Sequence, residues 1–278
     1  MIIELFGPPG AGKTTFVWAL AARLRERGHT VDLFLSHRPA EPHASEARAA
    51  SNPHPRQSLP TIRRLTRPFG EVLTMARHPL TLSHDVRTAL NLVRIMPPSD
   101  ILWRFRLAQY LSRLSRTWFQ ATVADHIVLF DQAFVQAVCS LAMLCGTSNE
   151  RLISQALDEI PKSDLQVLVN APPDVVETRL RDRERRAGRM ERLLELDLAT
   201  SLKSLAIVDS IERILHNKGG RIAHAASLDH HSLQEAVDWI EKLIAAQYNT
   251  ANRKLVTSDS FRADRRLETF EQPLVGRG

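Results

Sequence analysis

The chain opens with an apolar run, IIELF at 2–6, which reads as a short buried strand, and apolar positions return at helical spacing from Lys13 to about Arg27. Gly28 closes that helix and VDLFL at 31–35 reads as a second strand. The next stretch, rich in Pro, His, Ala and Ser up to Pro60, predicts a mobile loop over 36–60. From 61 to 124 the pattern turns helical, with breaks at Pro68, Pro79 and Pro97-Pro98, so three helices fit. The third, roughly 100–122, carries an apolar stripe at Trp103, Leu107, Tyr110, Leu114 and Trp118, with Arg104, Arg106, Arg113 and Arg116 around it. Such a stripe reads as a core-facing surface edged by solvated arginines, the alternative being a membrane-surface helix.

A buried strand at 126–130 ends in Asp131 and leads into an apolar helix over 132–144. LQVLVN at 165–170 is a further strand, and Pro172-Pro173 leads into an Arg-rich helix from Asp174. A long helix over about 190–217, a strand at 221–225 and a helix at about 232–247 complete the pattern. Strands alternating with helices imply an α/β fold whose parallel sheet is covered on both faces. The reading is one domain over 1–249 with a helical insertion at 61–124, followed by a polar, disordered tail at 250–278.

Composition narrows this picture. With 278 residues and 44% hydrophobic content the chain can bury a large core. Cys139 and Cys145 suit neither a zinc site nor a disulfide framework, and the opening MIIELFGPPG has no basic leader and no secretory pattern, so a cytoplasmic location is expected. Apolar runs are interrupted well before the roughly 18 residues of a membrane span. The net charge of +6 and pI of about 9.8 come mostly from arginine, since lysine occurs only at Lys13, Lys162, Lys203, Lys218, Lys242 and Lys254. Guanidinium groups suit phosphorylated partners.

The segment Gly7, Pro8, Pro9, Gly10, Ala11, Gly12, Lys13, Thr14 satisfies GxxxxGK[ST], and it lies between a predicted strand and a predicted helix as that motif requires. Glycines let backbone N–H groups turn inward around phosphates, Lys13 reaches the terminal phosphates and the Thr14 hydroxyl is placed for Mg2+. Thr15 is placed for the α-phosphate. ATP with magnesium is therefore the expected ligand, and Lys13 is expected to be an exposed loop side chain. Asp131, at the end of a hydrophobic strand, is expected near the metal, with helix N-capping as its other reading. The arginines 179, 181, 183, 185, 186 and 189 form a cluster ending in Arg189-Met190-Glu191, able to neutralise a phosphoryl group in transfer.

The loop resembles that of adenylate kinases, and the chain as a whole is similar to the P-loop nucleotide kinases, the thymidylate kinase family most of all. The resemblance covers about 1–35 and 125–247 and rests on Gly7 to Thr15, on Asp131-Gln132-Ala133-Phe134 in place of that family's DR[YF], and on Arg183 to Glu191 in place of its lid. It implies a three-layer P-loop NTPase sandwich with an arginine lid at 179–191, catalytic roles for Lys13, Asp131, Arg183 and Arg189, and metal contacts from Thr14 and Asp131. Gln132 stands where the family has an arginine that helps hold the acceptor, and Ser36-His37-Arg38-Pro39 loosely resembles R-E-P, which makes Arg38 and Gln132 the acceptor-side residues.

These features predict an ATP-dependent kinase of a nucleotide, nucleoside or similar small acceptor. A regulatory ATPase without an acceptor is the alternative. Asn170 is followed by Ala171-Pro172-Pro173-Asp174, so no NKxD guanine-reading motif is formed, and no LSGGQ signature occurs. A third reading, an anionic surface held by the basic helices, finds no nucleic-acid module in its support. Peripheral membrane contact and homodimer formation are left open.

Overall fold

The computed structural model describes residues 1–35, 82–98, 101–186 and 198–248. Five strands, β1 Ile2–Phe6, β2 Val31–Phe34, β3 Ile127–Phe130, β4 Leu165–Asn170 and β5 Ile222–Ala226, form one parallel sheet in the order β2-β3-β1-β4-β5. The helices are α1 Lys13–Glu26, α2 Leu82–Ile95, α3 Ile101–Thr122, α4 Phe134–Leu144, α5 Glu150–Asp158, α6 Pro173–Arg186, α7 Leu198–Asn217 and α8, over 230–248.

Alternation along the strands gives each face its own core. Ile3, Leu5, Leu129, Val167 and Val169 point to one face and pack under Phe16, Leu20 and Leu24 of α1 and Val237, Ile240 and Ile244 of α8. Ile2, Phe6, Val128, Phe130 and Leu168 point to the other, beneath α3, α4, α5 and α7. The result is a three-layer α/β/α sandwich, as the sequence pattern predicts. Because β3 and β4 are buried on both sides, they read as nearly continuous apolar runs.

Helix α3 is tied down by aromatic packing. On α3, Leu107, Leu111, Leu114 and Trp118 are buried while Arg104, Arg113 and Arg116 face solvent. Trp118 stacks on Phe130 with ring centroids 5.2 Å apart and meets Phe134 edge-on at 5.3 Å; Phe34 stacks on Phe130 from the other side at 5.2 Å. Rings from β2, β3, α3 and α4 thus fix α3 against the carboxyl ends of the strands.

Predicted and observed elements differ where local chemistry intervenes. α4 starts at Phe134, since residues 131–133 form a turn, and α6 starts at Pro173, whose missing N–H costs nothing at a first helical position. Helix α5 is absent from the sequence reading although Ile153, Ala156 and Leu157 recur at helical spacing and are buried. It is nine residues long, and its start is set by Asn149, whose side chain accepts the Arg151 N–H at 3.0 Å. The loop at 36–60, the insertion residues 61–81, residues 187–197 and the tail lie outside the described residues. Among the described residues no helix is long and apolar enough to cross a membrane.

At the end of the sheet remote from the glycine turn, His126 lies between two carboxylates, with Nε2 2.8 Å from Asp32 and Nδ1 3.2 Å from Asp125. Its carbonyl accepts the amino-terminal ammonium of Met1 at 2.9 Å. The hydrogen bond to Asp32, then that to Asp125, raises the imidazole pKa above its ordinary 6.5. A raised folded-state pKa contributes stability that is present in full below the unfolded value and is lost as pH rises through the folded one. Thermal denaturation of wild type and His126→Asn should therefore show a gap of a few degrees at pH 5.5 that narrows by pH 8.5, the small size following from an exposed pair. An equal gap at both pH values contradicts this.

Candidate phosphate-binding site

The carboxyl end of β1 passes between β3 and β4 and turns through the glycine loop into α1, at the strand ends where open α/β sheets bind ligands. Two glycines are required by geometry. A Cβ on Gly7, whose φ is 145°, would sit 2.2 Å from the Val169 carbonyl oxygen, and one on Gly12, φ 94°, would meet Ser227 Oγ at 2.8 Å. Gly12 is the N-cap of α1 and offers no side-chain cap, and the first turn holds no acidic residue. The helix therefore presents orphan N–H groups and its positive end to the inside of the loop, which is the chemistry of an anion site.

Lys13 is 7% exposed, not the exposed loop side chain expected from sequence. Its stem is buried in the first turn of α1, and Nζ donates to the carbonyl oxygens of Gly7 at 2.8 Å and Pro8 at 2.9 Å. The ammonium is thereby folded across the loop. Asp131 is fully buried, and Thr14 Oγ1 lies 3.4 Å from its Oδ2 although the two are 117 residues apart in sequence. The Asp131 N–H continues the β2-β3 ladder by donating to Phe34 O at 3.1 Å. Asp131 is not the N-cap of α4, the second reading of the sequence. That position belongs to Ala133, two residues on, and its side chain makes no cap.

The cap comes from another strand. Glu4, in the middle of β1, is fully buried, and its Oε2 accepts the Val135 N–H at 3.2 Å while Oε1 accepts from Ser163 Oγ at 2.9 Å. Burial raises its pKa from 4.5 to about 7, against the lowering effect of hydrogen bonds from Val135, Ser163, Gln166 and Phe134. Cys139, on α4, is also fully buried, and desolvation pushes its thiol up to about 12, out of reach of thiolate chemistry at neutral pH. One turn along α4, Gln136 Oε1 accepts the Gly7 N–H at 3.1 Å. Neither Glu4 nor Gln136 stands out in the sequence. A carboxylate inside an apolar strand was the available signal for the first.

Beside the loop, Gly12, Thr15, Arg179, Ser227, Leu228 and Leu233 line a cleft of about 400 Å³, within the range of small-molecule sites. Arg179 holds its wall, with Nη1 donating to Gly10 O at 3.3 Å and Nη2 to Ser227 O at 2.7 Å and Leu228 O at 2.9 Å. Asp229 and Ser232 cap α8 reciprocally, Ser232 N–H donating to Asp229 Oδ1 at 2.8 Å and Asp229 N–H to Ser232 Oγ at 3.0 Å, which stiffens the opposite wall. Of the arginine cluster, Arg179 alone among the described side chains is placed against the loop. Arg181 pairs with Glu177 and Arg185 with Asp182 on the exposed face of α6. Arg38, Arg189 and the side chain of Arg183 lie outside the described residues. Gln132 is half-buried in the turn after Asp131, with its carbonyl 3.4 Å from Tyr110 Oη.

The donor set suits magnesium. Thr14 and Asp131 present hard oxygens side by side, and this ion is commonly held by one or two protein oxygens with the remainder from phosphate and water. Among the described residues no group of three His, Cys, Asp or Glu side chains could hold a metal alone.

No protein-family model matches the chain, and no curated protein matches it. Among solved structures, it is similar to a deoxyadenosine kinase from M. mycoides with the products dCMP and a flexible dCDP bound, at 14% identity and a TM-score of 0.44, covering 90% of this chain and 100% of that one.

The Glu4 carboxyl sets a pH dependence of opposite form to a paired surface acid. With a folded pKa near 7 and an unfolded value near 4.5, the folded state holds a proton that the unfolded state has lost, so stability falls as pH rises from about 4.5 to 7 and is level above. Glu4→Gln should remove that slope, gaining on wild type between pH 5 and pH 8 in denaturant titrations. Parallel pH profiles for the two proteins would refute a raised Glu4 pKa.

Proposed function

We propose that this protein is a magnesium-dependent phosphotransferase that moves the γ-phosphoryl group of ATP to a small acceptor, a nucleotide, a nucleoside or a similar molecule bearing a hydroxyl or phosphate. The observation that carries the reading is the union of an uncapped helix start, a lysine folded across the glycine loop and a buried aspartate beside Thr14. A nucleotide wrapped by this loop would direct its phosphates at the first-turn amides and its base toward the cleft beside Gly12 and Thr15. The resemblance of Gly7 to Thr15 and of the segment from Asp131 to nucleotide kinases supports the same reading. Its narrower form, a thymidylate kinase-like enzyme, stands on that resemblance alone.

In this mechanism the chain positions and neutralises charge and performs little covalent chemistry of its own. Lys13 exchanges two neutral carbonyl acceptors for an anionic phosphate oxygen, a stronger partner. The Thr14 hydroxyl and the Asp131 carboxylate would hold magnesium or its water shell, an ion that would supply positive charge to offset the phosphates. In the alternative role Asp131, buried beside Thr14, would act as the base that takes a proton from an acceptor hydroxyl. Arg183 and Arg189 would add positive charge to the phosphoryl group in flight, with Arg38 and Gln132 on the acceptor side.

A screen with radiolabelled ATP against nucleosides, nucleotides and free or phosphorylated sugars tests the reaction class. Transfer of label to one of these is expected; release of inorganic phosphate alone, at a rate indifferent to every acceptor, indicates a regulatory ATPase. Lys13→Met keeps the buried stem but removes the ammonium, so turnover should fall about a hundred- to thousandfold with the far-ultraviolet circular dichroism unchanged. Turnover within a fewfold of wild type would overturn the phosphate-site assignment.

A further inference from the structure

The loop and the turn that carries Asp131 belong to elements far apart in the chain, and their relative position decides whether Lys13, Thr14 and Asp131 act on one ligand. Buried hydrogen bonds join them in both directions. From β1, Glu4 Oε2 accepts the N–H of Val135 at 3.2 Å. From α4, Gln136 Oε1 accepts the N–H of Gly7 at 3.1 Å. Glu4 is fully buried and Gln136 is 6% exposed, so neither bond is exchanged for water without opening the core.

Gly7 is where these constraints meet. Its Cα faces the Val169 carbonyl so closely that no side chain fits, its N–H is given to Gln136, and its carbonyl receives the Lys13 ammonium at 2.8 Å. A shift of Gly7 would therefore carry the ammonium's anchor with it. Asp131 stands five positions before Gln136 on the same turn and helix start, and its contact with Thr14 is a further link between the two segments.

We propose that Gln136 and Glu4 are positioning residues, which fasten the segment 131–136 to β1 and the phosphate loop and so set the placement of Lys13 and of the Thr14–Asp131 pair. Gln136 acts on the loop through Gly7, and Glu4 acts on the turn by supplying the helix cap that Ala133 lacks. Both would act through the backbone groups they hold and not through a ligand. This assignment rests on the phosphate-binding reading given above.

The test uses the full chain with MgATP as probe. Gln136→Met has similar volume and no comparable acceptor, so it leaves the buried Gly7 N–H unpaired. Its dissociation constant for MgATP should rise about tenfold or more, with the unfolding transition still cooperative. Gln136→Glu restores an acceptor oxygen at the same reach and should return the constant to within about threefold of wild type. Hydrogen exchange at the Gly7 amide, followed by NMR without nucleotide, should be slow in wild type and Gln136→Glu and fast in Gln136→Met. A Gln136→Met protein that binds MgATP within twofold of wild type overturns the proposal, as does Gln136→Glu behaving like Gln136→Met. If Gln136→Met does not fold, the wild-type amide decides: exchange at Gly7 as fast as in an exposed loop overturns the fastening, and strong protection supports it. Failure of wild type to bind MgATP at all would remove the phosphate-site reading, with the Gly7 amide still deciding whether the fastening exists.

Discussion

The close passage of Gly7 against β4 is the constraint on which the site depends. With a hypothetical Cβ 2.2 Å from the Val169 carbonyl, the chain can leave β1 between its two neighbouring strands only if residue 7 is glycine. That exit aims the following residues over the strand ends and starts α1 directly beneath the loop. Everything with chemical character then follows from short connections. Lys13 and Thr14 fall in the first turn of α1, and the adjacent β3 ends in Asp131 on the same sheet edge. Two residues remote in sequence become neighbours because parallel strands end together.

The two faces of the sheet carry different loads. The face under α1 and α8 is purely apolar among the strand residues, and it packs these two helices as one layer. The opposite face admits Glu4 and Gln166 between apolar neighbours, and Gln166 Oε1 is buried without a hydrogen-bond partner among the described residues. A buried carboxyl that must be desolvated costs stability, and an orphan acceptor beside it adds to the cost. The polar cluster is offset locally by the helix start it caps, since Glu4 supplies an acceptor to α4 where Ala133 cannot. Such a local conflict with burial is common where backbone must be held for function and not for packing alone.

What could be read from the sequence follows from the range of the interactions. The loop from Gly7 to Thr14 was legible because its chemistry is local: glycines, a lysine and a hydroxyl at fixed spacing between strand and helix. Asp131 was legible because it ends an apolar run. Glu4 was not, since its partners Val135 and Ser163 are 131 and 159 residues away and nothing local announces them. The chemical type of Lys13 is local information but its burial is not, because the carbonyls of Gly7 and Pro8 that hold it are brought to it only by the closed loop. Arg179 was read as one of a cluster with a shared role. In the fold it stands apart from Arg181 and Arg185, since one helical turn places it against Gly10 and Ser227 while they pair with acids on the outer face. Helix α5 is hard to read because it is only nine residues long, although its stripe of Ile153, Ala156 and Leu157 is buried and Asn149 caps its start.

The central claim is that one small cation and one triphosphate join Lys13, Thr14 and Asp131. A crystal structure of the full chain with magnesium and a non-hydrolysable ATP analogue tests it most directly. The account predicts phosphate oxygens on the loop amides and on Lys13 Nζ, the metal on Thr14 Oγ1, and the Asp131 carboxylate in contact with the metal or one of its waters. A nucleotide bound elsewhere, or one in this loop whose metal is held by neither Thr14 nor Asp131, would contradict it.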